Sequence, residues 1–352
     1  MVGPAGIRRM AHRVVRRAGS LLRHRRKLAG GLVIAGLLLL LVGLARWLYP
    51  VLDGRPPYSY ALGGYDELDE PLKEAAARGL KLQKGWVLVQ GKHLAELWVG
   101  EARGKRALLR WRPHVDEPFL HLFPPLSELL ELARALEKHA GEKPIFAWWD
   151  ISLALDLLAS GRLNLPLASP LYEPLFLPPT WPRPGALKAE KGLWGAEAEQ
   201  GVRHRFDRFA RALTAGGEQG LRSLCGLAKG GSFLLVLHVR DVVLSGALFP
   251  NALGIAFTRF HDTGDVHALV RQVHPWLEAN RYVAYLPLRT EVEGIYVVAL
   301  MDRASTRGLL VNLLPFVSPS FDPFLIVDGR RLTLVYQRGG FWVYEGGGAC
   351  RP

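Results

Sequence analysis

Three aspartates hold the same place in three similar stretches of the chain. Asp150 closes the apolar run IFAWWD and precedes ISLALDLLAS, Asp241 closes FLLVLHVRD and precedes VVLSGAL, and Asp302 closes IYVVALMD and precedes RASTRGLLVNLL. Each stretch reads as strand, Asp, helix, and near-continuous apolar strands belong in a sheet whose two faces are covered by helices. If the three strands ran parallel in one sheet, the carboxylates would meet at its C-terminal edge, where open α/β sheets bind ligands. The simpler expectation is that each acid caps its own helix, accepting from the free amides of the first turn, so that replacement by Asn is nearly silent.

Other polar clusters carry less. His261, His267 and His274, with Asp262 and Asp265, suggest a metal, yet Arg271 falls on the same helix face as His267 and His274 and repels a cation. His114, Asp116, Glu117 and His121 form a loose group in a Pro-rich loop. No nucleophile elbow, Walker loop or dinucleotide-binding turn follows a strand. With no Cys-x-x-Cys-His there is no usual attachment for a c-type haem, and no cofactor is expected. Cys225 and Cys350 are the only cysteines and are free to pair in an oxidising compartment, although their sequence separation leaves their distance in space open. The aromatics read either as core buried on both sides or as a docking surface for a partner. Trp148 and Trp149 stand together at a strand end, and in the closing RLTLVYQRGGFWVYEG a hairpin about Gly339-Gly340 sets Leu334, Tyr336, Phe341 and Val343 on one face and Val335, Trp342 and Tyr344 on the other. Trp148, Trp149, Trp342 and Tyr344 are the candidate partner-docking residues.

The elements that position these groups are legible from periodicity. WVLVQ, LAELWVG and RALLRWRP, punctuated by Gly91 and Gly104, suggest an antiparallel meander, with a short helix before it at 70–78. Leu126, Leu129, Leu130, Ala133 and Leu136 recur at helical spacing, with Ser127 as a cap and Gly141 just past the end. A further helix is expected over 266–277, started by Asp265 and bent or shortened at Pro275. The fold class is α/β or α+β: a single N-terminal transmembrane helix, then a mixed-sheet soluble body with helices and a C-terminal β-hairpin.

The N-terminal apolar run is the clearest stretch of all, and it reads as a membrane span or, with Gly43 and Ala45 small enough for a cleavage site, as a signal peptide. Residues 28–45 carry no charge, and as a helix the run to Tyr49 reaches roughly 33 Å, enough to cross a bilayer. Nine Lys and Arg precede it with no acid among them, which places the N-terminus in the cytoplasm and the body outside a bacterial inner membrane, in the periplasm. The formal charge of +13 therefore belongs to the tail; the rest holds 36 basic against 32 acidic residues, which gives no footprint for nucleic acid. Five regions follow: a basic tail (1–27), the span (28–49), a linker (50–65), a small α+β region (66–143) and an α/β region with the hairpin (144–352).

The basic-tailed span, AWWD opening a helix, PLYEPLFLPPTW, and the closing LLPFVSPSFDPFLIV and LVYQRGGFWVYEGG together resemble the membrane-anchored hydroxylamine oxidation protein B family, HaoB. That family accompanies octahaem hydroxylamine oxidoreductase in ammonia- and methane-oxidising bacteria. The resemblance implies an accessory protein, more an attachment than an enzyme, that tethers, matures or couples a multihaem c-type cytochrome such as hydroxylamine oxidoreductase. Its motifs have no catalytic assignment to carry over. A fainter likeness is to the soluble region of oligosaccharyltransferases, which also carry Trp-Trp-Asp; here Ile151-Ser152 follow where that family has Tyr-Gly. It implies, as the alternative, an outward-facing enzyme or a module that binds a glycan or acceptor.

Overall fold

Strand formation in the first half follows from Val, Leu and Trp alternating with polar residues, while Gly91 and Gly104 turn the chain at φ +77° and +72°, a conformation costly to other residues. The computed structural model describes residues 58–64, 68–115, 118–171, 183–195, 200–261, 264–289, 295–318, 332–347 and 350. Its first sheet is the expected meander, β1 (Ser59–Leu62), β2 (Lys81–Val89), β3 (Lys92–Ala102) and β4 (Lys105–Pro113), antiparallel throughout and in chain order. Helix α1 (Glu70–Ala77) sits between β1 and β2 and is capped by Asp69, which accepts from the Leu72 amide. Helix α2 (Leu126–His139) buries the anticipated leucine stripe. It starts after Pro125 and has no side-chain cap, so Ser127 lies within the first turn and does not end it.

The second sheet is mixed, in the order β10 (Thr333–Arg338), β11 (Phe341–Gly346), β6 (Phe233–His238), β5 (Ile145–Phe146). Only β5 and β6 run parallel; β11 is antiparallel to both of its neighbours. Helices α3 (Trp149–Leu158), α4 (Arg183–Trp194), α5 (Gln200–Thr214), α6 (Gly217–Leu227) and α7 (Asp241–Leu248) belong to this half. A third sheet, antiparallel, has the order β7 (Ile255–Phe260), β9 (Ile295–Leu300), β8 (Ala284–Arg289), and α8 (Val266–Asn280) packs Leu269, Val273 and Leu277 on it. Asp265 caps α8 by accepting from the His267 amide at 2.8 Å, as expected, but the helix continues through Pro275 to Asn280. Short α9 (Leu309–Leu313) lies beyond β9, fully buried.

One large hydrophobic core runs from Tyr58 to Tyr344, with strand β6 buried at every position. Cys225 of α6 and Cys350 are joined in a disulfide, Cα atoms 5.2 Å apart, which ties the C-terminal end to the helices. The mixed-sheet body with its hairpin is thus observed. The basic tail, the span at 28–49 and the linker up to residue 57 lie outside the described residues. Among the described residues no helix is long and apolar enough to cross a membrane.

A buried carboxylate fastens the first strand. Glu190 of α4 accepts from the hydroxyls of Tyr58 (2.6 Å) and Tyr60 (2.8 Å) and from the Trp194 indole N–H (2.6 Å). Burial raises its pKa, and these three donors oppose the rise. Since the folded-state pKa lies above the unfolded value of about 4.3, the native state holds this proton more tightly, and its stabilising effect is full below that value and lost as pH rises through the folded pKa. As pH rises above the unfolded value and through the folded pKa, the melting temperature of the wild type is expected to fall more steeply than that of Glu190→Gln, which has no such proton. Parallel slopes would remove this linkage.

Candidate functional site

Two strand-to-helix junctions meet at the C-terminal edge of the parallel pair. The chain leaves β5 through Ala147 and Trp148 into α3, and leaves β6 through Val239 and Arg240 into α7. Because β5 and β6 are adjacent and parallel, Asp150 and Asp241 are brought to the same edge. Between them sits Arg240, with no exposed surface. Its Nη2 donates to both oxygens of Asp150, at 2.5 and 2.7 Å; its Nε stands 3.9 Å from Asp241 Oδ1; and its guanidinium lies 5.6 Å from the centre of the Phe123 ring. Asp241 Oδ2 accepts from the His238 backbone amide at 2.9 Å, and His238 Nδ1 accepts from the Arg240 backbone amide at 3.3 Å.

The electrostatics follow from burial. The Asp241 carboxyl is pushed up to about 7, first by burial and then by neighbouring Asp150, against the opposing pull of Arg240 and the His238 amide. His238 is drawn well below the usual imidazole value by burial and by the Arg240 charge, so its ring is neutral. With Nδ1 an acceptor, the ring proton sits on Nε2.

The closing hairpin completes the edge. Gly339 takes φ +55°, and a Cβ there would lie 2.1 Å from the Glu128 carboxylate; Gly340 donates its amide to Glu128 Oε2 at 3.1 Å, and a Cβ there would come within 2.2 Å of His238 Nε2. The Gly-Gly pair is therefore needed twice over, at Gly339 for its dihedral and at Gly340 for space. Outside lies a cleft of about 600 Å³ between β4, the loop 120–125, α2 and this turn, walled by groups that include Trp111, Leu122, Phe123, Leu288 and His238.

A family comparison bears on the whole of this arrangement. The model of the family described as HaoA-associated protein HaoB matches residues 22–345, nearly the entire chain. The chain belongs to the HaoB family. No curated protein and no solved structure matches it.

Several expectations are corrected in this HaoB-family chain. Asp150 and Asp241 do not cap their helices: the N-cap positions are Trp148 and Arg240, without side-chain caps, and the two carboxylates are spent on Arg240 and on the His238 amide. Asp302 does not join them, because β9 lies in the separate antiparallel sheet; it accepts from the amide and hydroxyl of Ser305, which lower its pKa. The docking aromatics are mostly interior. Trp148 and Trp149 are fully buried, edge-on to Phe206 (5.2 Å) and Trp194 (5.4 Å), and Tyr344 is buried with its hydroxyl donating to Leu313 O at 2.5 Å. Trp342 is half-buried against the core. The reason is packing: β11 buries Phe341 and Val343 on one face and Tyr344 on the other, while the edge strand β10 meets solvent. A bulge between Leu334 and Tyr336 also pairs Leu334 with Tyr344, reversing the expected faces beyond it. His261, His267 and His274 are exposed, Asp262, Asp116 and Glu117 lie outside the described residues, and among the described residues no three His, Cys, Asp or Glu side chains group to hold a metal. His238 and Arg240 were missed; the available signal was an arginine inside the otherwise apolar junction HVRD.

Removing one member of a buried ion pair strands the other, at about 3–5 kcal/mol, whereas removing both is far milder. Asp150→Asn and Arg240→Met are each expected to destabilise by that order in denaturant unfolding, with the double variant recovering most of the loss; additive effects would mean that the pair is not coupled. Asp302→Asn should stay within about 0.5 kcal/mol of wild type.

Asp241 supplies a second pH test. Its folded pKa of about 7 lies above the unfolded value of about 3.9, so its contribution is full below the latter and is lost as pH rises through the former. Asp241→Asn, which keeps an acceptor for the His238 amide, is expected to flatten the decline in stability between about pH 6 and about pH 8; an unchanged decline would assign it elsewhere.

Proposed function

We propose that this chain is a membrane-tethered periplasmic accessory protein of HaoA, the hydroxylamine oxidoreductase, and that it is not itself the catalyst. The family match over residues 22–345 carries this reading, since the family is described by its association with HaoA. Two features support the finer parts. Nine basic residues on one flank of an uncharged run favour an N-terminus kept in the cytoplasm with the body outside, and the Cys225–Cys350 disulfide suits an oxidising compartment. Both cysteines of the sequence are in that bond, so neither is available to attach a haem covalently. Holding a partner at the membrane surface turns a bimolecular encounter into a local one, which is what a tether contributes without any reaction of its own.

The experiment is a mild-detergent pull-down of the tagged full chain, with covalent haem stained after denaturing electrophoresis. HaoA is expected to co-purify in stoichiometric amount, and protease added to intact spheroplasts is expected to digest the body while leaving an N-terminal tag. Recovery of the full chain without any haem protein would overturn the partnership. Protection of the body with loss of the tag would overturn the topology.

A further inference from the structure

We propose that the cleft beside His238 binds a small neutral molecule with an apolar or aromatic body and a carbonyl-type hydrogen-bond acceptor, received by His238 Nε2–H. The proposal goes beyond association with HaoA and stands without it.

The starting point is what His238 has left to offer. Its Nδ1 is taken by the Arg240 backbone amide, which fixes the neutral tautomer with the proton on Nε2. Nε2–H has no hydrogen-bond partner among the described residues, although the side chain is buried, with 7 % of its surface exposed. The ring is held on one side by Phe341, 4.6 Å between centres, and the Nε2 side faces Gly340, which lines the same cleft. A donor presented to a largely apolar cleft favours a ligand that accepts its hydrogen bond over one of the same shape that cannot.

The walls decide the rest of the ligand. At about 600 Å³ the cleft has the size of a small-molecule site, and it lies at the C-terminal edge of a parallel strand pair, the usual ligand position in such sheets. Trp111, Leu120, Leu122, Phe123 and Leu288 give it an apolar body. Of the permanent charges in the lining, Arg240 is paired with Asp150, the Glu128 carboxylate accepts from the Gly340 amide, and Arg112 is exposed, where water screens its charge. An anionic ligand would find Arg240 already neutralised and only the water-screened Arg112 besides, and a cationic one would find no unengaged acid among the described lining residues. A neutral acceptor on an apolar frame fits the donor that His238 presents within the apolar part of the cleft.

The test uses the purified full chain in lipid nanodiscs, with empty nanodiscs as the blank, and ligand-observed NMR titrations of three probes of similar shape: acetophenone, ethylbenzene and benzoate. Acetophenone is expected to bind saturably and about fivefold more tightly than ethylbenzene, the effect of one neutral hydrogen bond. His238→Asn, whose Oδ1 still accepts from the Arg240 amide but which has no donor at the Nε2 position, is expected to abolish that preference. His238→Gln, which restores a donor there, is expected to recover it. Equal affinity for acetophenone and ethylbenzene, no saturable acetophenone binding, tighter binding of benzoate than of acetophenone, or an unchanged preference in a folded His238→Asn would each overturn the proposal. Should His238→Asn fail to fold, the comparison of the three probes on the wild type decides alone.

Discussion

The guanidinium of Arg240 has no exposed surface, and a charge in that position is tolerable only with a counter-charge at hydrogen-bond distance. Asp150 supplies it from 90 residues away along the chain. The bond is possible only because β5 and β6 are adjacent, parallel and in a register that brings both junctions to one edge, so the ion pair and the strand pairing depend on each other. Once Arg240 is placed, its backbone amide sets the tautomer of His238, and the amide of His238 in turn engages Asp241. A single buried charge thereby orders the whole edge, down to the proton on one ring nitrogen.

The closing hairpin is the other half of that arrangement. β11 enters the sheet beside β6, not at its rim, and its turn rests on Glu128 and His238 so closely that neither glycine leaves room for a side chain. The disulfide from Cys225 to Cys350 holds the end of the chain against α6 just beyond the hairpin. The C-terminal segment, whose two apolar faces in sequence allowed either core or a docking surface, is a structural member of the second sheet. Its exposed apolar residues are Leu334 and Val335 of the edge strand.

Glu190 does comparable work at the other end of the body. By gathering the hydroxyls of Tyr58 and Tyr60 and the indole of Trp194, it binds the first described strand to α4 through a buried acid with a raised pKa. Trp149 packs edge-on against Trp194, so this network adjoins the helix that carries Asp150. The two buried carboxylate systems are thus linked through packed side chains and not by charge.

Local pattern was enough for the meander, the leucine stripe of α2, the Asp265 cap and the Gly-Gly hairpin, because alternation, helical spacing, capping and turn chemistry act over a few residues. Local pattern also marked Asp150 and Asp241 as residues at strand ends, and the quoted motifs carried the family resemblance. It could not tell which strands would be neighbours. IYVVALMD and FLLVLHVRD look alike as strings, yet one pairs in an antiparallel sheet of its own and the other lies beside IF, and that choice alone separates Asp302 from the two other acids. Nor does an aromatic string show its burial: Trp148, Trp149 and Tyr344 became core because helices and an extra edge strand cover them. The partner of Arg240, the idle proton of His238 and the cleft beside it exist only where distant segments meet. Those contacts are set by the packing of sheets and helices, a property of the whole chain that no window of sequence contains.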